Sequence, residues 1–411
     1  MAKIKVACMG NMNNNMFVLM RYLRGFDVDA DLLLFDKEID HFSPDTDSVN
    51  VEDYEKHIKQ LSWGGYRSFF TTSKQKIRAA IEDYDVIIGC GFAPAFFQKI
   101  RRKLDIFLPY GSDMLYYPYA KFIFSTPSLR IFSNTILARY QTKGIRNCKV
   151  KILSTIKDYY YSVNKFGTDF LGLQSPLVYL PDFEALDFKN MNGFEYKDQF
   201  DELRAKNDVM IFNHSRQIWK TFKGDIVAGK GNDKLIKGFA RYLKEAKKSA
   251  VLILFEKGVD VKYSKQLIGE LGIDDHVKWM PKMPRKNLLY GLQMADFAVD
   301  TMNAGGIGGS GYEAMILGTP LFNSIPWGQD EYDKLLLGKP VPPVIEASTE
   351  DHIYENLLRN EKEPEFYKEK GLKGKQWIYD YRGSGLVEKW IHLIEDIYHK
   401  REINEQALQF N

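Results

Sequence analysis

Cysteine is almost missing from this chain of 411 residues, which holds only Cys8, Cys90 and Cys148. No CxxC pair and no Cys/His spacing accompanies them. That argues against a disulfide framework or a zinc site and fits a reducing compartment. The opening residues, MAKIKVACMGNM, contain no secretory apolar core. The longest nearly apolar run, VIIGCGFAPAFF, is too short and too broken by Gly and Pro to span a bilayer. Charge of one sign is also lacking. The net charge is +3, so the overall balance implies no polyanionic partner. No GK[ST] follows any glycine cluster, so there is no P-loop. GNMNNNM, after the first strand-like run, lacks the GxGxxG spacing of a nicotinamide dehydrogenase. There is no short repeat, heptad run or low-complexity tract.

What is present is alternation. Apolar residues are 45% and charged residues 27% of the chain, as in globular proteins, and the length suits two to three domains. Strand-like runs at 5–9, 31–35, 85–90, 105–110, 150–154 and 177–180 are separated by stretches of helical spacing. A second series lies at 209–213, 251–255, 277–280, 297–300 and 320–323. Val-, Ile- and Leu-rich strands separated by helices predict parallel sheets covered on both faces. The alternation breaks between 181 and 207, a polar segment with Pro, Gly and Asn. The expected fold is α/β, with two doubly wound Rossmann-like domains facing a cleft. The first domain is expected over 1–183 and the second over 184–383. The tail 384–411 opens with an amphipathic helix, its apolar residues at Leu386, Trp390, Leu393, Ile394 and Ile397. This helix is expected to return to the first domain.

The densest feature is GGIGGSGYEAMILGTP, residues 305–320. With Asp300 ending a strand and Ser310 opening a helix, the glycines occupy a strand-to-helix loop at the carboxyl edge of a parallel sheet. Open α/β sheets bind ligands at that edge. Free N–H groups and the helix dipole favour an anion there. Bare backbone at Gly306, Gly308 and Gly309 would admit a pyrophosphate, and Glu313 would reach ribose hydroxyls. The same residues also read as a tight turn followed by a capping box, with Glu313 folded back on the Ser310 amide. The surroundings favour the anion. NHSRQIW places Arg216 at the carboxyl end of the strand 209–213, and Lys230 opens the helix that follows. Two cations and a helix N-terminus on one sheet edge make a diphosphate site.

From about 208 to 400 the chain resembles the retaining glycosyltransferases of the group 1 (family four) type, of GT-B fold. The resemblance is carried, in order, by Arg216, Lys230-Gly231, LILFEKGVD, ELGIDDHVKWMPKMPRKNLLYGLQMADFAV, GGIGGSGYEAMILGTPLF, EASTEDHIYENLL and WIYDYRGSGLVEKWIHLIEDIY. The first half agrees more loosely, through GNMNNNMFVLMRYLR and FLPYGSDM. The resemblance implies that Arg216 and Lys230 hold the donor diphosphate. Gly306, Ile307 and Gly308 would bring backbone N–H groups to the donor, with Gly309 and Ser310 at the helix start. Glu313 would bind the ribose, and the main chain near Pro281 to Met283 would meet the base. Gly10 and Asn11 would face the donor sugar or the acceptor across the cleft. Two positions depart from the family's pattern. Gly305 stands where a Glu is common, and Tyr110 where many members have His. Asp113 is then the nearest candidate catalytic group from the first domain.

The expected activity is sugar transfer from a nucleotide diphosphate sugar to an acceptor hydroxyl, of hexosyltransferase type. Arg216, Lys230 and helix N–H groups would stabilise the departing diphosphate without a metal. Retention, cofactor independence and a role in glycan or polysaccharide biosynthesis are what the resemblance implies. The DxD patterns, Asp27-Asp29-Asp31 and Asp45-Asp47, sit on the amino side of a sheet and in a polar loop, and are read as structural. Residues 97–157 hold twelve Lys and Arg against two Asp, with interleaved aromatics. This stretch reads either as a solvated basic surface or as a peripheral contact with an anionic membrane, the membrane being preferred over nucleic acid. A cytoplasmic enzyme at the inner face of the membrane, using a glycan or lipid-linked acceptor, would suit it. The alternatives are a nucleotide-sugar epimerase and a non-catalytic nucleotide-sugar-binding protein.

Overall fold

The computed structural model describes residues 4–36, 43–44, 51–119, 128–186, 188, 194–221, 229–303 and 305–410, with backbone alone at 128–131. Asp45, Asp47 and residues 120–127 of the basic stretch lie outside the described residues. The chain forms two compact units. The first comprises Met1–Asp182, Gly328–Pro340 and Tyr381–Asn411; the second comprises Phe183–Trp327 and Val341–Asp380. The segment Gly328–Pro340 therefore sits in the first unit, although the sequence assigned it to the second domain.

In the first unit seven parallel strands run in the order β3-β2-β1-β4-β5-β6-β7. They are β1 (Lys5–Met9), β2 (Asp29–Leu34), β3 (Ile58–Gln60), β4 (Val86–Gly89), β5 (Ile106–Phe107), β6 (Val150–Ile152) and β7 (Phe170–Leu171). Val6, Ala7, Cys8 and Met9 are consecutive and all buried, so β1 is covered on both faces. Val6 lies opposite Ala30 of β2 on one side and Val86 of β4 on the other. The predicted strand at 177–180 does not form. Pro176 and Pro181 flank the run and lack the N–H groups a ladder needs. Leu180 instead opens the helix Leu180–Glu184 and donates its N–H to the Tyr22 hydroxyl at 2.9 Å.

The C-terminal helix, Ser384–Tyr398, completes this unit. Leu386, Trp390, Leu393, Ile394 and Ile397 join the same core as β1, and Trp390 donates its indole N–H to the Gln174 carbonyl at 2.8 Å.

The second unit has six parallel strands in the order β10-β9-β8-β11-β12-β13. They are β8 (Val209–Asn213), β9 (Ala250–Phe255), β10 (Val277–Met280), β11 (Phe297–Val299), β12 (Leu321–Asn323) and β13 (Ile345–Glu346). The helix Lys197–Lys206 precedes them, inside the polar segment 181–207 where the alternation breaks, and buries Phe200. Strand order reverses between β8 and β11. The chain leaves β8 toward β9, and β11 leads away toward β12 and β13. Loops leaving two such strands diverge, which makes this the topological switch point where open α/β sheets take ligands.

Candidate functional site

The two switch-point loops of the second unit carry most of the sequence-predicted residues. β8 ends at Asn213, followed by His214, Ser215 and Arg216. The Asn213 side chain accepts from the Ser215 N–H at 3.0 Å and from its hydroxyl at 2.6 Å, which fixes the exit of the chain. Arg216 is exposed and has no ion-pair or hydrogen-bond partner among the described residues. Gln217 then pairs with the loop after β9: its N–H donates to the Lys257 carbonyl at 2.7 Å, and its carbonyl accepts from Asp260 at 3.0 Å. A Cβ on Gly258 would come within 2.4 Å of the Gln217 carbonyl oxygen, at φ +118°, so only glycine allows the two loops to close on each other.

Lys230 joins the two switch-point loops through its backbone. Its N–H donates to Ile218 at 2.6 Å, and its carbonyl accepts from Met302 at 3.0 Å. Gly231, at φ +73°, turns the chain into the helix Asn232–Glu245. The Lys230 ammonium lies 4.0 Å from Asp300, the residue that follows β11. Lys257 adds a further cation near Arg216. Partial burial, then repulsion from Arg216 and Lys282, lowers its pKa against the pull of Glu313.

The glycine loop differs from its expected form in one respect. The helix opens at Gly309, with Gly308 as its N-cap. The Gly308 N–H, expected to meet a donor, instead donates to the Asp300 carboxylate at 2.6 Å. The Ser310 hydroxyl donates to the same carboxylate at 2.6 Å, and the Asn323 amide at 3.3 Å. Asp300 is almost wholly buried and acts as an internal anion that shapes the loop. The N–H groups of Gly309 and Ser310, which have no acceptor within the helix, have none among the other described residues. The N–H groups left open at this helix start are thus those of Gly309 and Ser310 rather than that of Gly308. No capping box forms, because Glu313 reaches other partners.

Glu313 sits between the Arg285 and His214 side chains, which come from different segments. Arg285 donates from Nε to Oε1 at 2.9 Å, and His214 Nε2 lies 3.1 Å from Oε2. Burial alone would raise the Glu313 pKa. The charge of Arg285 and the hydrogen bond from His214 outweigh it and hold the carboxyl at about 2. Arg285 also lies over the Phe183 ring at 5.2 Å. It is the first residue of the helix Arg285–Gln293, so the segment after β10 that contains Pro281 and half-buried Met283 is tied to Glu313 through it. Buried polar atoms without partners gather at this sheet edge: Asn213 Nδ2, His214 Nδ1, Gln217 Nε2 and Asn232 Nδ2. Buried polar groups of this kind are normally hydrogen-bonded.

The first-unit residues fare differently. Gly10, at φ +79°, is packed so closely that a Cβ would come within 2.8 Å of both Cys90 Sγ and the Phe35 ring. Asn11 is wholly buried; its amide donates to Asn14 at 2.6 Å and its oxygen accepts the Phe17 N–H at 3.0 Å. Its side chain organises the turn into the helix Asn15–Gly25. Asp113 is also wholly buried, and its oxygens accept the N–H groups of Tyr110 at 2.9 Å and Gly91 at 3.0 Å. Burial pushes its carboxyl up to about 7 against these hydrogen bonds. It pins two loops together through these two N–H groups. Of the DxD residues, Asp31 is held by Lys59 at 2.7 Å and Tyr84 at 2.8 Å, and Asp29 pairs with Arg24 at 3.2 Å. Among the described residues, no group of three or more His, Cys, Asp or Glu is placed to hold a metal ion.

Residues 203–332 match the family of glycosyl transferases group 1. The matched stretch begins just before β8 and contains Arg216, Lys230, Arg285, Asp300 and Glu313. Among solved structures, HepE from Anabaena in complex with UDP and glucose is 12% identical with a TM-score of 0.60, covering 94% of this chain and 98% of its own. Sucrose-phosphate synthase from Thermosynechococcus elongatus is 11% identical with a TM-score of 0.59, over 97% and 100%. A structure described as a putative UDP-N-acetylglucosamine 2-epimerase from Listeria monocytogenes is 11% identical with a TM-score of 0.59, over 100% of both chains. At such identities the likeness establishes the fold, which is GT-B. A search of curated proteins finds no match.

Sequence reasoning missed His214, Arg285 and Asp300. Each had a weak signal. His214 adjoins Arg216 in NHSR, Arg285 opens a helix in MPRKN, and Asp300 ends the run FAVD immediately before the glycines.

Proposed function

We infer that this chain is a glycosyltransferase that moves a sugar from a nucleotide diphosphate sugar to an acceptor hydroxyl. The observation that carries the reading is the joining of two loops at one switch point. Lys230 bonds to the backbone of both, Arg216 stands exposed on the first, and the open N–H groups of Gly309 and Ser310 end the second. Negative charge grows on the diphosphate as the glycosidic bond breaks. Donors fixed beforehand stabilise that charge without reorganising at the moment of reaction. Glu313, kept ionised, takes the ribose hydroxyls as hydrogen-bond donors, and the chain at Pro281–Met283 meets the base. Transfer proceeds with retention and without a metal, the departing phosphate oxygen receiving the acceptor proton. The product belongs to a hexosyl glycan or polysaccharide built on a glycan or lipid-linked acceptor.

The test is nucleotide binding followed by transfer. UDP is the first nucleotide to try, because structures of this fold hold it. A ligand confined to the folded state raises stability as RT ln(1 + [L]/Kd), about 2.7 kcal/mol at a hundredfold excess over Kd. The cognate nucleotide should therefore raise Tm by several degrees, and Arg216→Ala and Lys230→Ala should each remove most of the rise. An unchanged rise in both variants would place the diphosphate elsewhere. The full-length likeness to an epimerase sustains a second reading. That reading requires the donor to be converted or consumed with no acceptor present.

A further inference from the structure

Three helical segments of the first unit lack acidic residues entirely. No Asp or Glu occurs at 61–81, 93–104 or 128–151, although all three stretches contain several Lys and Arg. The structure packs them together. In the helix Ser128–Arg146 the inner face is pinned: Gln141 accepts the Ala95 N–H at 3.2 Å and donates to the Gly91 carbonyl at 2.8 Å. Gly144 lies so near Pro94 that a Cβ would come within 2.0 Å of its carbonyl oxygen. Leu137, Ala138 and Ile145 are buried on that side. The outward face then follows from helical geometry. Phe132, Ile136, Arg139, Tyr140, Lys143 and Arg146 recur at offsets of 4, 7, 8, 11 and 14, so they share one stripe.

The helix Tyr66–Thr71 extends this stripe sideways. The Tyr66 and Ser133 hydroxyls are 2.6 Å apart, and the Phe69 ring meets Tyr140 at 5.3 Å and Phe70 at 5.1 Å. Lys99 closes the seam from the third segment, donating to the Thr72 carbonyl at 2.8 Å. Phe132 is 74% exposed, Phe70 41% and Tyr140 38%, an unusual display of large apolar rings for a helical surface. Arg67, Lys74, Arg139 and Lys143 are exposed around them, with no ion-pair partner among the described residues.

The geometry points to this face as a docking surface for an anionic lipid membrane. Rings that enter the headgroup boundary, rimmed by cations that meet lipid phosphates, suit an anionic membrane surface. A nucleic-acid groove would instead need rings ordered to stack on bases along a channel of cations. Here the most exposed ring, Phe132, projects from a convex helix face. The surface narrows the basic stretch 97–157 to its outward helix and adds 66–74, which the stretch omitted. It rests on the proposed function only for its purpose, which is to bring the enzyme to an acceptor held in lipid.

Each Lys or Arg held near an anionic surface strengthens partitioning roughly fivefold. The full chain should cosediment with phosphatidylcholine vesicles containing one-third phosphatidylglycerol and not with phosphatidylcholine alone, and salt should release it. The double variant Arg139→Glu with Lys143→Glu should bind at least tenfold more weakly, and Phe132→Ser several-fold more weakly. Both should keep the wild-type Tm and its rise with UDP, which separates a failure of this inference from a failure of the donor-site reading. Equal binding to neutral vesicles, binding to neither, or full binding by the double variant would overturn it. So would a charge-reversed chain that loses single-stranded RNA while Phe132→Ser still binds vesicles like the wild type.

Discussion

A buried carboxylate is costly unless donors surround it, and Asp300 shows how fully that requirement shapes the glycine loop. Its two oxygens receive the Gly308 N–H, the Ser310 hydroxyl and the Asn323 amide, with the Lys230 ammonium 4.0 Å away. Gly308 packs tightly onto this carboxylate. A Cβ at Gly308 would come within 3.1 Å of Asp300 Oδ1. Removing the acceptor strands three donors at once, each at about 1–3 kcal/mol. Asp300→Ala should therefore destabilise the second unit by roughly 3 kcal/mol or more, whereas Ser310→Ala, which removes one donor, should cost about 1 kcal/mol. Urea unfolding of the two variants decides the matter, and equal costs would mean that Asp300 does not organise the loop.

At the scale of elements, the strands that could be read in advance were the central ones. β1 and β8 occupy the residues their apolar runs predict, because a strand buried on both faces must be apolar throughout; β10, a partly exposed edge strand, is the exception that was also legible. β3, β7 and β13 were not legible. They are two or three residues long and lie at sheet edges, where half the side chains meet solvent and no pattern accumulates. The site follows the same logic. Arg216, Lys230 and Glu313 stand next to turn-forming residues that mark strand ends. The partners of Glu313 could not be seen, because His214 lies 99 residues away and Arg285 28, and only sheet topology brings them together. The packing of Asn11 and Asp113 was illegible for the converse reason: a polar residue after a strand reads the same in sequence whether it is exposed or holds the next turn from a buried position. Close helix packing is likewise invisible until the backbone is seen. Gly144 reads as a mild helix weakener, yet it lets the helix Ser128–Arg146 touch Pro94. Gly144→Ala should thus cost about 2 kcal/mol through overpacking, where an exposed helical glycine would gain stability on the same change. A stabilised variant in chemical denaturation would show that this contact is loose.

At the scale of the whole molecule, two buried acids of the first unit and one of the second are tuned in opposite directions. In the first, burial pushes Asp113 up to about 7 and Asp158 up to about 6, both from an ordinary value of 3.8, against the hydrogen bonds they accept. In the second, burial of Glu313 is outweighed by Arg285 and His214, which lower it from 4.5 to about 2. An acid raised in the folded state keeps its proton where the unfolded chain has lost it. The first unit should therefore lose stability as pH rises from about 4 to 7. A depressed acid works the other way. Glu313 supports the second unit fully above its unfolded value of 4.5 and loses that support as pH falls toward about 2, a difference of about 3 kcal/mol. Each unit has its own hydrophobic core, so calorimetry should resolve two transitions. Acidification from about pH 7.5 to 4.5 should raise the first, and further acidification should lower the second. Asp158→Asn should flatten the first trend and Glu313→Gln the second. Two transitions that move together with pH in both variants would contradict the opposed tuning of these carboxyls.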